Sequence, residues 1–572
     1  MNATFEYEKW INNDSLEPNL RKELEAMNES DIEEAFHTDL AFGTAGMRGI
    51  MGPGTNRMNI YTVRKANVGF AKYLLENITD AKERGVVIAY DSRRNSPEFA
   101  YESAKVLATY GIKVYVFEGP RPTPELSFAV RHLVCAGGIV ITASHNPPVY
   151  NGYKIYDETG CQVLPDEGDK VIAGVESVDD VFAIEVELEA DLVKAGLIEF
   201  IGPIIDGAYL NAVKSIELNS DIDKSNLSIV FSPLHGTAGD LTEELLLSCG
   251  YNRLFLVAEQ ADPDGKFPTV SYPTPEEAEA FTYAISYGKM VEADILLATD
   301  PDADRLGVAV KLENGEYKLL SGNQTGALLA YYILSQRKLK GRLPNKGRVF
   351  DTVVSSPLAG KIATSYGMES ISTLTGFKFI GEQAMLMEGT EYEYVFGYEE
   401  SYGALINSEI ARDKDAIQAV LLICEAAAYY QSQNITLIDI LNKIYDEYGY
   451  YQEDLVNIDL TGIEGDAKIQ KLLNAFRQDP PVEINDIKIK TRFDFQTGLS
   501  FENGRESVID LPKSDVLKYV LEDGSWFVIR PSGTEPKAKI YFGVVTNSDE
   551  DSNNRLEQIK KAVLAKVETI LN

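Results

Sequence analysis

This sequence predicts an α/β protein of several domains with largely parallel sheets, on three observations. First, 572 residues are enough for three to five domains at about 100–200 residues each. Second, the chain is 44% apolar, 10% aromatic and 25% charged, an ordinary globular composition that argues against bulk disorder. Third, β-branched runs alternate with amphipathic stretches, as in GVVIAY, then SPEFAYESAKVLATYG, then IKVYVF. That alternation is the βαβ rhythm.

Along the chain, Ser96-Pro97-Glu98 reads as a helix start and Gly111 as the stop that follows it. Four places then repeat one arrangement, an apolar run ending in a polar loop: GGIVITASHNPP, ADILLATDPDADR, EYVFGYEESYG and WFVIRPSGTEPK. In α/β sheets ligands sit beyond the carboxyl ends of strands. Four such loops predict four domains, each giving one loop to a shared cleft. Cuts near 204, 322 and 447 divide the chain into 1–204, 205–322, 323–447 and 448–572. The segment 476–500 reads as irregular, and 545–555 as an exposed acidic loop. After Ser552, the residues Leu556, Ile559, Val563, Val567 and Ile570 recur at helical spacing.

Lys plus Arg is 54 and Asp plus Glu is 88, for a net charge of −34. This balance is wrong for nucleic acid or an anionic membrane. It still permits a small anionic ligand, since screening over about 8 Å lets a local Arg/Lys cluster dominate. The four cysteines are scattered without a CxxC, which predicts reduced thiols in a cytoplasmic protein. The first twenty residues lack a basic start and an apolar run, and so predict no signal peptide.

The loops carry complementary chemistry. In DPDADR, Asp300, Asp302 and Asp304 alternate, so a tight loop turns their side chains onto one hard cation. An EF-hand needs Gly and Glu where Arg305 and Lys311 stand. A three-carboxylate set leaves coordination positions open, and Mg²⁺ fills such positions with water or phosphate oxygen. In TASHNPPVYNGYK, Ser144 follows a strand, His145 is its neighbour, Asn146-Pro147-Pro148 fixes a turn, and Lys154 follows. No G-x-S-x-G elbow is present. A serine facing a metal loop is suited to carry a phosphoryl group. RPSGTEPK resembles an anion cradle: Arg530 for bidentate grip, Ser532 and Thr534 for hydroxyls, Gly533 for backbone approach. GYEESYG offers Glu399 and Ser401 to a polyol. TGFK (Thr375, Lys378) is open between turn and site. FGTAGMRG places Thr44 and Arg48 in a glycine-rich loop.

Together these motifs resemble the four signature loops of the α-D-phosphohexomutases, in family order from about residue 40 to 545. FGTAGMRG, SPLHGTAGD, SGNQTGALL and TGFK resemble the phosphoglucomutase branch. The resemblance implies three similar α/β domains with mixed, largely parallel sheets and a smaller α+β C-terminal domain around a central cleft. It implies a phosphoserine at Ser144 and Mg²⁺ on Asp300, Asp302, Asp304 and a Ser144 phosphate oxygen. Arg48, His145, Lys154 and Arg305 would surround the transferring phosphate, with Lys154 or His145 as general acid/base. Thr375, Lys378, Glu399, Ser401 and Lys414 would recognise the sugar, and Arg530, Ser532, Gly533 and Thr534 the other phosphate. Glucose 1,6-bisphosphate is then the intermediate and activator. The partners are small sugar phosphates, with the chain a monomer or homodimer. The expected reaction interconverts glucose 1-phosphate and glucose 6-phosphate. Alternatives are a phosphopentomutase, a phosphomannomutase or a glucose-1,6-bisphosphate synthase. Ser401 is followed by Tyr402-Gly403 where the phosphomannomutase branch has Gly-His, which weighs against that branch.

Overall fold

The computed structural model describes residues 2–43, 46–460, 465–532 and 537–571. By contacts it forms two units, 1–325 with 377–435, and 326–376 with 436–572. Thr44, Gly533 and Thr534 lie outside the described residues.

The first unit holds two mixed sheets. One comprises β1 (Gly46–Ile50), β2 (Val86–Tyr90), β3 (Val114–Phe117), β4 (Gly137–Ile141), β5 (Tyr150–Tyr156) and β6 (Ile198–Ile201), in the order β1-β5-β4-β2-β3-β6. The β4, β2, β3 and β6 pairings are parallel, whereas β1–β5 and β5–β4 are antiparallel. Every residue of β2 and β4 is buried. Continuous apolar runs such as VVIAY and GGIVI are what a strand covered on both faces requires. Helices Ile60–Asn77 and Ser96–Thr109 cover one face through Phe70, Leu74, Phe99 and Leu107. Leu126, Val130 and Ile205 of helices Thr123–His132 and Pro203–Lys214 cover the other. The second sheet comprises β7 (Ser228–Ser232), β8 (Arg253–Leu256), β9 (Ile295–Thr299), β10 (Leu306–Lys311) and β11 (Tyr317–Leu319), in the order β11-β10-β9-β7-β8. The strand Glu393–Tyr398 and its short return Ala404–Leu405 also belong to this unit.

The second unit contains the parallel pair Gly347–Thr352 and Glu369–Thr373. It also contains an antiparallel sheet around Lys537–Thr546, Trp526–Pro531 and Leu517–Leu521. The helix Asp549–Leu571 packs on that sheet through Leu556, Ile559, Val563 and Val567.

The helix expected at Ser96 runs from Ser96 to Thr109, and Gly111 follows it at φ +76°. Two readings need correction. The segment 545–555 is not a loop: its acidic run opens the last helix at Asp549, where carboxylates suit the positive end of the helix dipole. Ser552 lies inside that helix, buried, donating to the Tyr450 carbonyl at 2.5 Å. Ser548 is the residue that accepts from the Asp551 N–H, at 3.1 Å. The segment 476–500 is also ordered, containing the strand Ile487–Asp494. Among the described residues no helix is long and apolar enough to cross a membrane.

The β1–β5 register places Arg48 opposite Gly152 and Gly46 opposite Lys154. A Cβ on Gly152 would run into the Thr142 carbonyl oxygen and come within 3.1 Å of the Met47 oxygen. Gly152→Ala is therefore expected to cost about 1–3 kcal/mol, read as a lowered thermal midpoint. Gly207→Ala, on a helix with nothing within 4 Å, should leave the midpoint unchanged or raise it.

Candidate active site

The loop after β4 carries Ser144 in a left-handed backbone conformation, φ +49°. Such a conformation costs a non-glycine residue about 1–3 kcal/mol, so surrounding structure must hold it. Arg93 does so. It is buried, and its guanidinium donates to the Ser144 carbonyl at 2.5 Å, the Pro147 carbonyl at 2.9 Å, the Tyr150 carbonyl at 3.2 Å and the Asn146 carbonyl. Asp91, buried beside it, pairs with Arg93 Nε at 3.2 Å and accepts from Thr142 Oγ1 at 2.7 Å. Thr142 Oγ1 in turn accepts the Ser144 N–H at 2.7 Å. The strain is thus carried by a network rather than by one contact.

Ser144 Oγ then donates to Asp300 Oδ2 at 2.8 Å and lies 3.2 Å from His145 Nδ1. Asp300 begins the loop after β9. The tight turn expected from DPDADR forms, with Ala303 at φ +56° and the Asp304 and Arg305 N–H groups donating to Asp300 Oδ1 at 3.1 and 3.0 Å. One carboxylate oxygen from each of Asp300, Asp302 and Asp304 lies within 4.8 Å of the others, and all three residues are buried. Asp302 Oδ1 and Asp304 Oδ1 are buried without a hydrogen-bond partner among the described residues. Convergent hard oxygens with orphaned lone pairs fit a divalent cation such as Mg²⁺.

Cations surround this trio. Lys154 Nζ lies 2.8 Å from Asp302 Oδ2 and 3.7 Å from Asp304 Oδ2, and Lys414 Nζ lies 3.0 Å from Asp304 Oδ2. Arg305 pairs with Glu276, and Arg48 Nη1 donates to Asn146 Oδ1 at 2.6 Å. Burial, with the charges of Asp304 and Asp302, pushes Asp300 well above the usual carboxylate range. Asp302 goes the other way: burial opposes its charge, but Lys154 outweighs that and holds it low. Burial also opposes the Lys414 charge, but Asp304, Asp413 and Glu399 outweigh it and hold the ammonium above its ordinary range. Burial and the nearby Arg305 and Arg48 hold His145 well below the usual imidazole range.

The GYEES loop joins the same centre. The Arg305 and Gly403 backbones pair in antiparallel sense, and the Leu306 N–H donates to the Tyr402 carbonyl at 2.9 Å. The Lys414 side chain lies over Gly403, where a Cβ would strike it. Glu399 is buried and charge-coupled to Arg305 and Lys414. Ser401 sits half-buried in the same turn. Lys378 opens the helix Lys378–Leu386, and burial lowers its amine. The first unit therefore brings together Arg48, Ser144, His145, Lys154, Asp300, Asp302, Asp304, Arg305, Glu399 and Lys414.

Thr375, Arg530 and Ser532 belong to the second unit. Thr375 is half-buried in the loop after Glu369–Thr373. Arg530 Nη2 donates to the Tyr541 hydroxyl at 2.9 Å, and its Nε is buried without a partner among the described residues. The Ser532 N–H closes the hairpin on the Lys537 carbonyl at 2.8 Å.

Sequence reasoning missed Arg93 and Asp91. Their signal was present: DSRR follows the strand GVVIAY in the same strand-to-polar-loop arrangement as the four loops singled out.

Carboxylates, cations and a strained serine at the ends of α/β strands describe an enzyme of phosphoryl transfer. Models of the four phosphoglucomutase/phosphomannomutase domains match: the α/β/α domains I, II and III at residues 39–181, 207–314 and 321–448, and the C-terminal domain at 455–564. The chain belongs to the phosphoglucomutase/phosphomannomutase family, within the α-D-phosphohexomutases. It is 38% identical to a phosphoglucomutase of Staphylococcus epidermidis over 538 residues, covering 94% of this chain and 96% of that one. It is 38% identical to a phosphoglucomutase of Staphylococcus aureus over 550 residues, covering 95% and 96%. Its fold matches solved structures of a phosphoglucomutase/phosphomannomutase family protein from Burkholderia thailandensis (21% identity, TM-score 0.66, 92% and 97% covered) and of parafusin from Paramecium (20%, 0.66, 93% and 96%).

Arg93→Lys keeps the charge but loses the fork that reaches four carbonyls. It should reduce turnover at least tenfold in a coupled assay, while cation binding, followed by Mn²⁺ titration, persists.

Proposed function

We propose that the protein interconverts glucose 1-phosphate and glucose 6-phosphate through a phosphoryl group carried on Ser144. The observation that supports this is the 2.8 Å approach of Ser144 Oγ to Asp300 within the carboxylate trio. In the first half-reaction the Ser144 Oγ–P bond breaks as a sugar hydroxyl oxygen bonds to phosphorus. The hydroxyl proton leaves the sugar, and Ser144 Oγ ends protonated. The 1,6-bisphosphate so formed turns over; in the second half-reaction the sugar O–P bond of its other phosphate breaks as Ser144 Oγ bonds to phosphorus, and the Oγ proton ends on the released sugar oxygen.

Phosphoryl transfer asks mainly for in-line placement and charge neutralisation. Asp300, Asp302 and Asp304 would hold Mg²⁺, which neutralises charge on the phosphoryl oxygens when bound. Arg48, Arg305 and Lys154 would face the same group. His145, 3.2 Å from Oγ, and Lys154, engaged by Asp302 and Asp304, are the two candidates for general acid/base. Glu399, Ser401, Lys414, Lys378 and Thr375 would bind the sugar hydroxyls. Arg530 and Ser532 would hold the second phosphate, with Gly533 and Thr534 beside them in sequence. The free cysteines support a cytoplasmic setting, where the enzyme works as a monomer or homodimer on small sugar phosphates.

Purified enzyme tested on glucose, mannose and ribose 1-phosphates should turn over the glucose compound fastest. A preference for ribose or mannose 1-phosphate would reassign it among the mutases. Dependence on an acyl-phosphate donor would make it a bisphosphate synthase. Ser144→Ala should lose more than a thousandfold in turnover with an unchanged thermal midpoint, and near-normal turnover would defeat the phosphoserine mechanism. Chelation with EDTA should stop the reaction and Mg²⁺ should restore it.

A further inference from the structure

We infer that Thr123 is a positioning residue for the cation site, its hydroxyl fixing the Asp302 carboxylate so that one oxygen is kept for the metal. The inference rests on the reading of Asp300, Asp302 and Asp304 as cation ligands.

Thr123 opens the helix Thr123–His132 beside the first sheet, whereas Asp302 belongs to the loop after β9 in the second. The two residues meet through two hydrogen bonds. The Thr123 N–H donates to the Asp302 carbonyl at 2.9 Å, and Thr123 Oγ1 donates to Asp302 Oδ2 at 3.0 Å. The first bond uses an N–H that a helix start leaves without an intrahelical partner. The second is not the usual fate of a helical threonine hydroxyl, which donates to a carbonyl one turn back; at the first helical position there is no such turn. Both residues are completely buried, so the pairing is shielded from competing water.

The carboxylate is engaged asymmetrically. Lys154 Nζ donates to the same Oδ2 at 2.8 Å, so two donors, one from a helix and one from a strand, hold one oxygen. The other, Oδ1, is buried with no partner among the described residues. The terminal torsion of an aspartate is broad when unconstrained. Donors from Thr123 and Lys154 narrow it, and Oδ1 is left for the cation. Lys154 alone is a single flexible point charge; the threonine hydroxyl, on a short branched side chain, supplies the directional constraint.

The helix start is itself firmly set. The neighbouring Arg121 holds Asp206 through Nε at 2.9 Å and Nη2 at 2.8 Å, and its N–H donates to the Tyr90 carbonyl at 2.9 Å. Thr123 is thus an anchor that ties the sheet bearing Ser144 to the loop bearing the carboxylates, and it fixes their relation before any ligand arrives.

The test is Mn²⁺ titration by calorimetry into metal-free, full-length protein, which needs no turnover. Thr123→Val keeps the shape and removes the hydroxyl, and should weaken Mn²⁺ binding about tenfold. Thr123→Ser restores the hydroxyl and should bind within about twofold of the parent. Equal affinity in Thr123→Val and the parent overturns the inference while leaving the ligand assignment intact. An equal loss in Thr123→Ser also overturns it, since the hydroxyl would then not be the cause. No Mn²⁺ binding by the parent defeats the ligand assignment itself, and this inference with it. If Thr123→Val does not fold, Thr123→Ala makes the same comparison.

Discussion

Three carboxylates held within 4.8 Å of one another and away from water are the constraint on which the site depends. Two like charges about 4 Å apart repel by roughly 4 kcal/mol at an effective dielectric near 20, and here three pairs do so at once. The protein answers by differentiating them. Asp302 is stabilised as an anion by Lys154, Asp304 faces Lys414, and Asp300 is pushed toward the protonated form. Such an arrangement is costly unless a cation completes it, so the cluster reads as a functional device and not as a stabilising one. The cationic shell also explains how a chain of net charge −34 presents a site suited to anions.

The serine is subject to a second constraint, one of backbone shape. Its left-handed conformation aims Oγ at Asp300. That conformation persists because Arg93 and Asp91 are committed to the loop's own carbonyls and to Thr142. Arg93 therefore acts on the loop's shape, through carbonyls, whereas Arg48 donates to the Asn146 side chain and Arg305 pairs with Glu276. Gly152 belongs to the same design: it lets β5 lie close against the Thr142 and Met47 carbonyls, in the register that pairs Arg48 with Gly152 and Lys154 with Gly46.

Much of this was legible in the sequence, because the informative signals were local. An apolar run followed by a polar loop fixes a strand end, and alternate aspartates in a tight turn converge by geometry alone. What depended on distant pairing was not legible. Arg93 reaches carbonyls more than fifty residues away, and nothing in DSRR says which backbone it will meet. Thr123 lies 179 residues from Asp302, and a threonine before a proline reads as an ordinary helix start. The acidic stretch near 550 failed for a different reason. Carboxylates are common both in solvated loops and at helix N-termini, and composition does not separate the two.

The most direct measurement of the central claim is intact mass with peptide mapping, after incubation of the Mg²⁺-loaded enzyme with glucose 1,6-bisphosphate. The account predicts one phosphate-sized increment, located on the peptide bearing Ser144 and discharged when excess glucose 1-phosphate is added. An enzyme that turns over normally while Ser144 stays unmodified, or whose increment maps to another residue, would contradict it.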